Sequence, residues 1–125
     1  MNYASQYFDV LNSYGMIWRW RDWIARSLNE DRSYAEMVQM MLAADELAPA
    51  DDTDLVATGF LAIGEWGTGD ADKEKMMTDI VDDQVNTTSR AFLGVTMQCV
   101  KCHDHKYDPV SHTDYYRMRA VFEPY

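Results

Sequence analysis

From Met77 to Val95 the side chains at positions 77, 80, 81, 84, 85, 88, 92 and 95 form a nearly continuous stripe. Spacing of three and four residues lays side chains on one face of an α-helix and on nothing else in the regular repertoire. Asp70, Asp72 and Glu74 stand at its start, where the positive end of the helix dipole favours acids. The pattern predicts a helix from about Asp72 to Phe92, running toward the cysteines beyond it. A stripe that wide has to be buried, so whatever follows Val95 is anchored to a core.

The same periodicity recurs upstream. Ile17, Trp20, Ile24 and Leu28, with Trp23 beside them, predict an amphipathic helix over Met16 to Leu28, with Arg19, Arg21, Asp22 and Arg26 elsewhere on its surface. Its aromatics read as a buried face, with a Trp-lined binding groove as the functional alternative. Asn29 to Arg32 makes a polar turn, and Ser33 with Glu36 has the spacing of a capping box. A helix from Tyr34 to Leu47 follows, burying Met37, Val38, Met41 and Leu42; methionines of this kind are adaptable core packing. After a loop around Pro49, Thr53 or Asp52 caps a third helix, Asp54 to about Ile63. Gly64, Gly67 and Gly69 then punctuate an acidic, mobile connection containing Trp66, too acidic to cradle phosphate. Phe8 and Leu11 share a short helical face closed by Gly15. Past Pro109, Ser111 and Asp114 mark another helix start, and Tyr115, Met118, Val121 and Phe122 its apolar face. Strand signals are poor throughout. The expected fold is mainly α, an irregular multi-helix arrangement with long loops, in a single helical domain over residues 1–125.

Charge narrows the functions. Eleven Lys and Arg against 21 Asp and Glu give a formal charge of -10. Such a surface repels phosphate backbones and anionic lipid, which argues against nucleic-acid binding and membrane-surface docking and suits a basic partner protein or a cation. No run approaches the ~18 apolar residues of a membrane span. The first residues lack the charged start and apolar core of a secretory signal, which taken alone points to the cytosol. Two cysteines cannot build a disulfide scaffold. Four Trp, eight Tyr and nine Met suit the wrapping of a planar cofactor, and equally the filling of a core.

Both cysteines and two of the three histidines fall within seven positions, Cys99-Val100-Lys101-Cys102-His103-Asp104-His105. Cys-x-x-Cys-His is the pattern that attaches a c-type haem: the thiols, three apart on a helical turn, tether the ring and His103 ligates the iron. A thioether-bound haem cannot leave, so the chain has only to bury it, ligate it and tune it. Two alternatives stand beside it. Cys99, Cys102, His105 and either His103 or His112 are a possible zinc set, although strong zinc motifs come as two separated pairs. A redox-active or structural Cys99–Cys102 disulfide is the third, without the strand–helix context of a thioredoxin site. His112, or a methionine such as Met37, Met41 or Met77, is the candidate sixth iron ligand. Met97 and His105 lie too near along the chain. Asp104 or His105 is suited to orienting His103, Asp108 before Pro109 to a turn, Lys106 to pairing with an acid, and Asp82 and Asp83 to solvated charge.

Val85-Asn86-Thr87-Thr88, Phe92-Leu93-Gly94-Val95-Thr96, Cys99-x-x-Cys102-His103-Asp104-His105-Lys106-Tyr107-Asp108-Pro109-Val110 and Asp114-Tyr115-Tyr116 together resemble one family. It is the cytochrome c-like domain family of unknown function of planctomycetes and their relatives, found in large secreted or periplasmic proteins. Trp20-Arg21-Asp22-Trp23, Asn29-Glu30-Asp31, Ser33-Tyr34 and Ala57-Thr58-Gly59-Phe60-Leu61 resemble its earlier blocks. The resemblance covers about Tyr3 to Phe122 and corresponds to the C-terminal portion of the family domain, which normally has a further N-terminal helical part. It implies a covalent haem c held by Cys99, Cys102 and His103, a periplasmic or other extracytoplasmic setting, and a redox partner protein or neighbouring cytochrome domain. It implies no established reaction, and an electron-transfer or binding domain fits better than a stand-alone enzyme.

Overall fold

In the computed structural model, which describes residues 16–47, 52–63 and 72–123, all regular secondary structure among the described residues is helical. The mainly α, multi-helix fold expected from the sequence is the fold observed. The short helix expected around Phe8 and Leu11 and the acidic glycine connection around Trp66 lie outside the described residues. The chain divides into two compact units, Met1–Gly64 and Glu65–Tyr125.

In the first unit, α1 spans Trp18–Asn29. Its buried line differs from the expected one. Trp23 and Ser27 are buried and Trp20 and Ile24 half-buried, whereas Leu28, placed in the stripe by spacing, is 64% exposed. The partner surface decides this: α1 packs on the Val56–Thr58 turn, and Gly59 lies so close to Trp20 that an added Cβ would sit 3.2 Å from the Trp20 Cβ. The polar turn closes α1 with two bonds, Arg32 N–H to the Ser27 carbonyl at 2.9 Å and Asp31 N–H to the Leu28 carbonyl at 3.2 Å, around a left-handed Asp31 (φ 56°). This is a Schellman closure with Asp in the position glycine usually takes. The Ser33 hydroxyl then accepts the Glu36 N–H at 3.2 Å and starts α2 (Tyr34–Ala43). The Glu36 carboxylate lies 3.9 Å from Arg32 Nε instead of closing the box.

α2 ends at Ala43, with turns to Leu47 where the helix was expected to continue. Met37, Met41 and Ala44 are buried with Ala57. The expected third helix is three pieces: α3 (Asp52–Leu55), a 3₁₀ turn (Val56–Thr58) and α4 (Gly59–Ala62). The Thr58 hydroxyl donates to the Leu55 carbonyl at 2.8 Å, the back-bonding that competes with regular helix.

In the second unit, Asp72 caps α5 (Lys73–Thr88) by accepting the Lys75 N–H at 3.1 Å. Val81, Val85 and Thr88 are buried, as the stripe predicts, while Met77 at its outer end is exposed. Regular helix stops at Thr88. A wider π turn, Ser89–Leu93, takes over and is closed by Gly94 in the left-handed region (φ 68°). Val85, Met97, Val100 and Tyr115 form the core, with Val95, Val110, Met118 and Phe122 packed around them. α6 (His112–Phe122) starts with a complete capping box, Ser111 and Asp114 each taking the other's backbone N–H. Val121, expected on its apolar face, is 77% exposed. Residues 115, 118 and 122 follow the three–four rhythm of one face, and 121 falls off that line. No helix among the described residues is long and apolar enough to cross a membrane.

Candidate functional site

The cysteines sit on a turn built from the core outward. After Gly94 the chain runs through buried Met97 into a 3₁₀ turn, Gln98–Lys101, closed by Val100 N–H to the Met97 carbonyl at 3.0 Å and Cys102 N–H to the Cys99 carbonyl at 3.3 Å. The two spacer residues hold it down. Val100 is fully buried among Val85, Met97 and Tyr115. Lys101 places its ammonium on the Asp82 carboxylate of α5. With the spacers so held, Cys99 and Cys102 are exposed free thiols. Cys99 lies within the 3₁₀ turn and Cys102 caps its end.

Asp82 differs from its expectation as solvated charge. Its side chain is only 19% exposed and accepts from three groups: Lys101 Nζ, the Tyr115 hydroxyl, and Arg119 Nη1 at 3.3 Å. Both oxygens are engaged, so it anchors and is not free to act as a base. Burial, then the hydrogen bond and negative charge of Asp82, push the Tyr115 hydroxyl far above the ordinary tyrosine range.

The three histidines are held by different atoms. His103 Nδ1 lies 2.7 Å from the Asp104 carbonyl, which only accepts, so Nδ1 carries the proton and Nε2 keeps its lone pair. His112 is the reverse, with Nε2 donating to the Lys101 carbonyl at 2.9 Å and Nδ1 left with the lone pair. His105 Nδ1 accepts the amide N–H groups of Asp108 at 2.9 Å and Tyr107 at 3.3 Å. The Asp108 carboxylate also lies 3.2 Å from that nitrogen, a contact that would require a proton on it. Two backbone donors cannot share the position with a proton, so we assign the neutral ring with Nδ1 as acceptor. His105 therefore builds the loop that its own N–H closes on the Val110 carbonyl at 2.9 Å.

Asp104 links two of these rings' residues. Its carbonyl accepts from His103, and its carboxylate accepts the backbone N–H of His112 at 2.7 Å. Lys106, expected to pair with an acid, instead lies over the Tyr107 ring at 5.2 Å. Among the described residues no three His, Cys, Asp or Glu are placed to hold a metal ion, so the four-ligand zinc set is not assembled here. Met37 and Met41, named as possible sixth ligands, are core residues of the first unit, and Met77 lies exposed on α5.

Over residues 1–125 the chain matches the family model PSCyt2, a protein of unknown function (DUF1549). The chain belongs to this family. No curated protein and no solved structure matches it.

In this PSCyt2 member Cys99, Cys102 and His103 are the residues that would hold a covalently attached haem. Two exposed thiols are followed directly by a histidine whose Nδ1 is fixed by a carbonyl, leaving Nε2 for a metal, as the acceptors behind ligating histidines do. Sequence reasoning missed Asp82, Tyr115 and Arg119 as the support of that turn. The one local signal was a lysine between the cysteines of a strongly acidic chain, which needed a carboxylate near it.

Proposed function

We propose that this PSCyt2 domain is a c-type haem-binding domain that transfers electrons within a larger extracytoplasmic protein. The observation that carries it is the His103 Nδ1–Asp104 carbonyl bond at 2.7 Å, which leaves Nε2 available beside two exposed thiols. Cys99 and Cys102 would hold the porphyrin as thioethers and His103 Nε2 would ligate the iron. Bound haem supplies a one-electron ferric–ferrous couple. Val100 and the Lys101–Asp82 pair keep the turn in register, and Asp104 fixes the imidazole plane. The charge of -10 suits a basic redox partner or a neighbouring cytochrome domain with a complementary face.

The test is mass spectrometry of denatured protein produced in a host with haem-attachment machinery. One covalent haem, a haem stain that survives denaturation and their loss in Cys99→Ser with Cys102→Ser are expected. A haem-free chain would overturn the proposal. If that chain were also lighter by two hydrogens, the cysteines would be paired as a disulfide instead.

A further inference from the structure

The first unit holds an open pocket of about 480 Å³ along α1. Arg19 and Arg26, seven residues apart on one helix face, both line it. Both are exposed, and neither forms an ion pair among the described residues, whereas Arg21, Arg32, Arg117 and Arg119 each have a carboxylate partner. In a chain with 21 acids to 11 bases, two unanswered guanidinium groups on one pocket wall run against the overall charge. Asp22, which lies between them, is already paired with Arg21 at 2.7 Å. Trp18, 48% exposed, offers a flat apolar face beside them, and α3 contributes Asp52. Trp23 also lines the pocket, its buried indole N–H without an acceptor among the described residues.

These groups specify a ligand. Guanidinium forks prefer carboxylates, and an exposed indole face takes a flat or ring-shaped apolar surface. Asp52 is an exposed acceptor on the same pocket, which a ligand carrying donors can use. A sugar ring with hydroxyls donates to Asp52 as well as covering the indole, whereas a plain aromatic carboxylate such as phthalate has no donor to offer it. Arg19 and Arg26 start about 10 Å apart along the helix, room for one carboxylate each. The geometry points to a binding site for a short oligouronide, a chain of sugar rings bearing carboxylates. This site is independent of the haem proposal.

The full chain is titrated with digalacturonate by calorimetry, with circular dichroism as the fold control. Saturable binding in the millimolar range or tighter is expected, at least about tenfold weaker with the doubly methyl-esterified disaccharide or with maltose. Arg19→Ala with Arg26→Ala, both surface positions, is expected to weaken it at least about tenfold, while Arg117→Ala, an exposed arginine on α6 outside the pocket, leaves it unchanged. Absence of saturation by about 10 mM, equal binding of maltose, or equal or tighter binding of phthalate overturns the proposal. The esterified sugar decides the matter without any variant: if it binds as well as the acid, the arginines do not read carboxylate.

Discussion

Lys101, the residue just before the second cysteine, holds its ammonium on the carboxylate of Asp82, nineteen positions earlier on α5. The pair fastens the cysteine turn to the helix whose stripe builds the core, and the same carboxylate takes the Tyr115 hydroxyl and Arg119. Asp82→Asn keeps the shape and removes the charge, leaving Lys101 without its counter-ion and Arg119 with Glu123 alone, at 3.4 Å. Urea unfolding is expected to show a loss of about 2 kcal/mol, below the range for a fully buried pair because Lys101 is partly exposed. Lys101→Met should cost less than half of that. An unchanged midpoint in Asp82→Asn would remove the anchor from the account.

Tyr115 sets an alkaline limit. Its hydroxyl is raised well above the unfolded value of about 10, so the native state keeps a proton that the unfolded chain loses. Its stabilising contribution is complete below that value. It falls as pH rises beyond it, with a slope of at most about 1.4 kcal/mol per pH unit. Tyr115→Phe is expected to cost about 1 kcal/mol at neutral pH through the lost hydrogen bond, and to flatten the decline measured by unfolding above pH ~10. Equal slopes in both proteins would contradict the linkage.

Histidine tautomers are directly measurable. At a pH where all three rings are neutral, two-bond proton–nitrogen spectra should show the proton on Nδ1 in His103 and on Nε2 in His105 and His112. Asp104→Ala leaves the carbonyl on His103 in place and removes the carboxylate from the first amide of α6. It should therefore keep the His103 tautomer while lowering stability by about 1 kcal/mol. An Nε2-protonated His103 in the unaltered protein would take away the lone pair on which iron ligation depends.

Two glycines separate backbone strain from crowding. At Gly94 a Cβ would meet nothing within 4 Å, but φ is 68°, so Gly94→Ala should cost about 1 kcal/mol and Gly94→Asn less. At Gly59 the backbone is ordinary helix and the cost is contact with Trp20 at 3.2 Å. The Trp20 Cβ is fixed to α1 and cannot swing away. Overpacking should therefore outweigh the helix-propensity gain of about 1 kcal/mol, for a net loss of similar size in Gly59→Ala. Thermal or urea unfolding of the three variants checks both.

Much of this protein is local and was legible as such. The caps at Ser33, Asp72 and Ser111–Asp114 join groups within three residues, and the buried stripe through Val81, Val85 and Thr88 obeys the helical repeat. The cysteine–histidine segment was equally plain as a string. Tertiary structure decided what depends on distant partners. Leu28 satisfies a periodicity yet faces solvent, because a neighbouring surface covers only part of a stripe. Asp82 looks like any helix-surface acid until residues 19, 33 and 37 positions later arrive at its oxygens. Three histidines with one pattern in the sequence received three different hydrogen bonds, and with them different free nitrogens. Short-range bonds and helical pitch are properties of neighbouring residues; charge pairing, burial and tautomer depend on which surfaces meet, and that is settled only when the chain folds.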